Sequence, residues 1–246
     1  ILNSIRMYRM EHHDEYGEVV LTWDSKHSWR RDYFPEYKAS RRKGREESDL
    51  NWDDIFGTLN KIRNEIKENF PYKYLEVFGA EADDIIGFLC EENIDENIMI
   101  ISGDKDFIQL QKYPNVKQWS PITKKDVNGF NPTTYLKEHI LRGDTSDGVP
   151  NVLSPDNTFV DGLRQRPLSR KKIQSWLIGG GSDWNDEVKR NFQRNSTLID
   201  LSRTPEELKN QIRLEYNNAP HGDRSKLLNY FMQNKLKELT ENIGEF

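Results

Sequence analysis

The chain has 246 residues, 35% of them apolar and 31% charged, with a mean hydropathy of −0.89 and a formal net charge of −5. No apolar run approaches the roughly 18 residues a membrane-spanning helix needs, and a single cysteine, Cys90, excludes an internal disulfide. That length suits one large domain or a domain with a smaller lobe, and the acidic balance argues against a protein that simply coats nucleic acid.

In chain order, residues 2–10 read as the interior of a helix, which suggests native sequence ahead of Ile1. Residues 18–24, EVVLTWD, form a β-branched apolar run and predict a buried strand. Residues 29–45, WRRDYFPEYKASRRKGR, interleave bases with Trp29, Tyr33, Phe34 and Tyr37, a composition that permits a mobile loop stacking on bases while its cations meet phosphates. The bland alternative is a solvated loop with its aromatics in the core. Over 52–70, Ile55, Leu59, Ile62 and Ile66 make one helical stripe. Residues 74–79 and 97–102 predict two more strands and 116–120 a weaker fourth, while Ile85, Ile86, Leu89 and Cys90 mark a helix between them.

Beyond about residue 150 the strand pattern stops. Helices are expected at 169–178, 183–195, 205–217 and 224–240, interrupted by Gly179-Gly180-Gly181, Pro205 and Pro220. The glycine triplet reads as a joint, since no phosphate-loop pattern surrounds it. We therefore expect an α/β domain over 1–150, with a mostly parallel central sheet flanked by helices, and a helical lobe over 151–246. No signal-peptide pattern opens the chain and the lone cysteine suits a reducing compartment, so a cytoplasmic location is expected.

Acidic residues gather in four places: Asp24 after the first strand, Glu81, Asp83 and Asp84 in GAEADDIIG, Asp104 and Asp106 in ISGDKD, and Asp144 and Asp147 in GDTSDGVP. In open parallel sheets ligands bind beyond the carboxyl ends of the strands, where three of these groups fall. On an extended segment the i, i+2 pairs Glu81/Asp83 and Asp104/Asp106 each project to one side, and Asp144 and Asp147 share a face if their segment turns helically. Any one of these acids alone could be a helix cap. Together they suit hard divalent cations, and two ions about 4 Å apart serve a phosphodiester displacement. The five histidines show no ligand spacing and read as surface residues.

GAEADDIIG, then ISGDKDFIQL, then GDTSDGVPN, in this order and spacing, resemble the flap endonuclease and 5′→3′ exonuclease superfamily. That resemblance implies a PIN-like 5′ nuclease fold and a phosphodiester hydrolase that removes 5′ flaps and RNA primers from RNA–DNA hybrids during replication. It implies two magnesium ions, with manganese able to substitute, held by Asp24, Glu81, Asp83, Asp104, Asp106, Asp144 and Asp147. The family's first metal-binding Asp lies on an N-terminal strand upstream of Ile1, and its usual glycine hairpin after GDTSDGVPN is missing here, which puts a monovalent-cation site in doubt. Residues 29–45 correspond to the family's substrate arch, so Arg30, Lys38 and Arg41, with Asp24, are the catalytic candidates. Arg31 and Arg42 join them for nucleic-acid binding, as do Arg170, Lys171 and Lys172 for the duplex. Implied partners are DNA and RNA–DNA duplexes with 5′ ends, a single-stranded-DNA-binding protein and a sliding clamp, for a monomer acting in host cytoplasm if viral. Two rivals stand beside this reading: a catalytically silent protein binding branched DNA, and a PIN-type ribonuclease, whose domains are usually shorter and lack a helical lobe.

Overall fold

The computed structural model describes the backbone of residues 1–246 and every side chain except those at 42 and 43. α1 (Leu2–Tyr16) leads into β1 (Val20–Thr22), which is followed by the short α2 (Trp29–Tyr33), α3 (Ser40–Glu46) and the long α4 (Trp52–Asn69). Next come β2 (Lys73–Leu75), α5 (Ala82–Glu92), β3 (Ile98–Ile101), a 3-10 helix (Lys105–Lys112), β4 (Val116–Ser120), β5 (Lys125–Asp126) and α6 (Pro132–Arg142). Only helices follow: α7 (Arg170–Gly179), α8 (Asp186–Ile199), α9 (Glu206–Asn218), α10 (Leu227–Gln233) and α11 (Lys237–Glu241). None is long and apolar enough to cross a membrane.

The α/β architecture is as expected, but the sheet comes in two pieces. β1 pairs parallel with β2, Val20 opposite Lys73 and Thr22 opposite Leu75. β3 pairs parallel with β4, and β5 adds an antiparallel edge. Between the pieces, β1, β3, α1 and α5 line a groove of about 630 Å³, into which β1 and β3 each turn an edge that no described strand covers.

Helix starts are set locally. Asn51, Asn131, Ser169 and Asn185 each cap a helix by accepting a backbone N–H three residues on. The predicted helix over 224–240 instead breaks in two, the chain reversing through Lys235 at φ 55°. Residues 29–45 do not form one mobile loop either. They make α2 and α3, because Phe34 and Tyr37 bury against Ile140, Val149, Leu198 and Ile199 and anchor the segment.

The 151–246 helices wrap the sheet layer rather than standing apart. Phe70 and Tyr72 share a cluster with Leu227, Phe231 and Phe246; Leu75, Val77 and Phe88 pack with Ile212; and Cys90 and Ile100 meet Leu201. Buried clusters thus draw members from both sides of residue 150. α8 packs on α6, which packs on the 3-10 helix that carries Asp106, and Leu198 and Ile199 of α8 line the acidic pocket.

Candidate metal centre

Glu81, Asp83, Asp106, Asp144 and Asp147 line one pocket, together with Arg30 and Tyr37. They come from three places in the chain, and each is delivered by a backbone device. Glu81 and Asp84 form a reciprocal capping box that starts α5, so Glu81 sits at the extended cap and Asp83 in the first helical turn. Asp104 caps the 3-10 helix, accepting the Asp106 N–H at 3.0 Å. The extended i, i+2 geometry expected of both pairs is therefore replaced by strand-to-helix corners.

Asp144 opens a tight turn, its Oδ1 accepting from the Ser146 N–H and hydroxyl at 2.8 and 2.7 Å. Gly143 makes that turn possible: at φ +69° a Cβ there would meet the Val149 carbonyl at 2.3 Å. Asp24 is exposed and accepts the Ala82 N–H at 2.8 Å, which ties the end of β1 to the start of α5. Asp24 and Asp104 do not line this pocket themselves, but the charge of each raises Asp83, which does.

The carboxylates strain against one another. Burial, then Asp104 and Asp24, push the Asp83 carboxyl up to about 7. Burial, then Asp104 and Asp144, push Asp106 up to about 8. Burial raises Asp147 too, even though Lys38 and Tyr37 oppose it. Anions held this close call for positive charge, and an oxygen-rich donor set of this kind fits hard divalent cations.

Part of that charge comes from the 29–45 segment. Lys38 Nζ donates to Glu81 at 2.7 Å and lies 3.6 Å from Asp147, while Arg41 pairs with Asp147 and donates to the Ser146 carbonyl at 3.2 Å. Lys38 and Arg41 therefore stand at the pocket itself. Arg30 takes a different place from the substrate-facing one its sequence suggests. It is 2% exposed and donates to Asp84 at 2.7 Å, to Glu81 at 3.4 Å and to the Leu198 carbonyl at 2.8 Å. As it stands no phosphate can reach it, and its guanidinium is an internal prop. Asp84 belongs to that prop: burial works against its charge, yet Arg30 and Thr204 hold it below the usual carboxylate range.

Arg31 is exposed, and the Arg42 side chain lies outside those described. Arg170, Lys171 and Lys172 are exposed on the first turn of α7 and do not line the pocket.

Two side chains not singled out for this chemistry stand inside the site. The Tyr37 hydroxyl lies 2.8 Å from Glu81 Oε2 and 2.7 Å from Asp147 Oδ2. His139, expected at the surface, lies instead between two acids, with Nδ1 3.4 Å from Asp106 and Nε2 3.8 Å from Asp144. Burial holds its imidazole below the usual value. The available sequence signal was its place one helical turn before Gly143 and Asp144, which aims it at the same end of α6.

Comparison with known proteins bears on family and fold. Residues 1–139 match the family model for the 5′-3′ exonuclease, N-terminal resolvase-like domain, and residues 132–246 match that for the T4 RNase H C-terminal region. The ribonuclease H of Enterobacteria phage T4 is 34% identical across all of this chain and 85% of its own length. A 5′-3′ exonuclease of Buchnera aphidicola is 29% identical over 62% of the chain, which spans 53% of that relative. Among solved structures, a bacteriophage T5 protein co-crystallised with metal ions superposes with a TM-score of 0.65 at 15% identity, covering 88% of this chain and 90% of that one. A T5 flap endonuclease in complex with DNA and metal ions gives 0.64 at 16%, with 88% of each chain covered. At those identities the structures speak to fold alone.

Proposed function

Because this chain belongs to the 5′-3′ exonuclease family and is a phosphodiester hydrolase, we propose that it cleaves nucleic acid from 5′ ends and flaps, RNA primers on RNA–DNA hybrids included, with magnesium. The observation that carries this reading is the meeting of five acids from three chain regions in one pocket. With Asp24 and Asp104, whose charges both act on Asp83, these acids would make an anionic set suited to two magnesium ions, with manganese a substitute. When bound, such ions activate water for attack on phosphorus and neutralise the charge that develops on the leaving oxygen.

The chain's own side chains do the rest. Asp83, Asp106 and Asp147 would hold the cations, with Glu81 and Asp144 beside them in the same pocket. Lys38 and Arg41 are paired with Glu81 and Asp147. With cations bound at those acids, both side chains would be available to orient the scissile phosphate. Arg30 keeps Glu81 and Asp84 in register from below. The bases of α7 grip duplex phosphates away from the cleavage point, which gives residues 151–246 their duplex-binding role.

The test is incubation of a labelled 5′-flap and a labelled RNA–DNA hybrid with the protein, in magnesium and in EDTA. Short 5′ products only with magnesium are expected. Intact substrates that are nonetheless bound would sink the nuclease reading in favour of a silent DNA-binding protein, and preferred cutting of an all-RNA single strand would favour a PIN-type ribonuclease.

A further inference from the structure

We propose that His139 supplies an imidazole nitrogen to a divalent cation held between Asp106 and Asp144, making this one position prefer manganese over magnesium. The inference rests on the metal-dependent reading above and names a ligand that an all-carboxylate site lacks.

The geometry is specific. One ligand atom from each of Asp106, His139 and Asp144 falls within 4.8 Å of the others, and all three side chains are half-buried. Ligands of a single ion at bond lengths of about 2.0–2.2 Å stand roughly 3 Å apart, so small side-chain rotations would close this set. His139 lies on α6 and Asp106 on the 3-10 helix, and these two elements pack directly together, so the trio is fixed by backbone rather than by a loose side chain. The Tyr135 ring meets the imidazole edge-on at 6.0 Å and sets its plane.

A simple ion pair explains the ring less well. The 3.4 and 3.8 Å separations exceed ordinary hydrogen-bond lengths, and neither nitrogen hydrogen-bonds to a carboxylate among the described residues. Each ring nitrogen faces a carboxylate that does not hydrogen-bond to it, which leaves the unprotonated nitrogen free to serve a cation. Oxygen donors alone serve magnesium and manganese alike. Exchanging one for nitrogen favours the softer ion, in keeping with the rise in affinity for nitrogen ligands from manganese onward.

Manganese itself is the probe. Manganese(II) is titrated into the full chain and free ion is counted by electron paramagnetic resonance. Electron spin echo modulation of the bound ion then reports directly coupled nitrogen. The wild type is expected to show 14N modulation, and His139→Leu to lose it and bind one of its manganese ions roughly tenfold more weakly, with magnesium affinity little changed. His139→Gln, which restores an oxygen donor, should recover affinity without nitrogen modulation, and thermal melts in EDTA check that both variants fold. Bound manganese with no nitrogen signal in the wild type would overturn the His139 assignment and leave the carboxylate site standing. No bound manganese at all would overturn both.

Discussion

The Arg30 guanidinium donates to Asp84 Oδ2 at 2.7 Å, and neither side chain reaches solvent. Asp84 also accepts the Glu81 N–H at 2.9 Å, which fixes the first turn of α5, while Arg30 reaches the Leu198 carbonyl and ties α2 to α8. Removing one partner of a buried pair strands the other charge. Arg30→Met should therefore cost about 3–5 kcal/mol of unfolding free energy in urea melts, and Arg30→Lys most of that, because an ammonium lacks the planar fork. A loss below about 1 kcal/mol would mean that the pair is not a structural prop.

Tyr37 offers one hydroxyl proton to two carboxylates, Glu81 and Asp147. Tyr37→Phe leaves Glu81 with Lys38 but removes the link across the pocket. We expect the metal-free protein to lose about 1–2 kcal/mol, and the magnesium concentration for half-maximal cleavage to rise roughly tenfold. Chemical denaturation in EDTA and a magnesium titration of flap cleavage measure the two. If both stay at wild-type values, Tyr37 is only a packing residue.

The sequence made the acids legible and left their supports hidden. Asp24, Glu81, Asp83, Asp104, Asp106, Asp144 and Asp147 stand out because charge crowded at strand ends is a local pattern. Arg30 looked like a substrate contact because it lies in a basic, aromatic run, and only the placement of α8 over α2 reveals its burial. His139 was passed over for a similar reason: its partners lie 33 residues upstream and five downstream, and no ligand spacing announces such a trio. Strand positions were readable from β-branched runs, but the split between β1 and β3 depends on pairing and was not.

In the metal-free protein Asp83 and Asp106 keep protons up to about 7 and 8, whereas an unfolded chain releases them near the ordinary carboxylate value of about 4. Across that window the folded state binds more protons than the unfolded one, so stability falls as pH rises. A divalent cation replaces those protons, and its stabilising effect should grow over the same range. Thermal melts in EDTA and in magnesium at about pH 5, 6.5 and 8 compare the two curves. A gap that does not widen with pH would place the cation elsewhere.

Asp104→Asn with Asp106→Asn removes two anionic donors while sparing local structure, because asparagine caps a helix as well as aspartate does. Flap cleavage should drop to the level of an EDTA control, with DNA binding retained through the bases outside the pocket. A gel-based cleavage assay and a binding titration without divalent ions check this. Wild-type turnover in the double variant would remove the pocket from the chemistry.

Arg170, Lys171 and Lys172 occupy the first turn of α7, whose cap, Ser169, accepts the Lys172 N–H at 3.2 Å. A helix N-terminus carrying three bases attracts phosphate through both its dipole and its charge. Lys172 also lies 4.7 Å over the Trp176 ring, itself buried, so this turn has a fixed base. Because these residues do not line the acidic pocket, replacing all three with alanine should weaken binding to a duplex-bearing flap while leaving kcat unchanged. Each lost phosphate contact reduces the slope of log affinity against log salt by about 0.9, so the triple variant should lose up to about 2.7 of that slope. Single-stranded DNA of equal length, which does not need the duplex grip, should bind as before. An unaltered salt slope with duplex would move the gripping surface away from α7, and a fall in kcat would mean that this helix reaches the cleavage point.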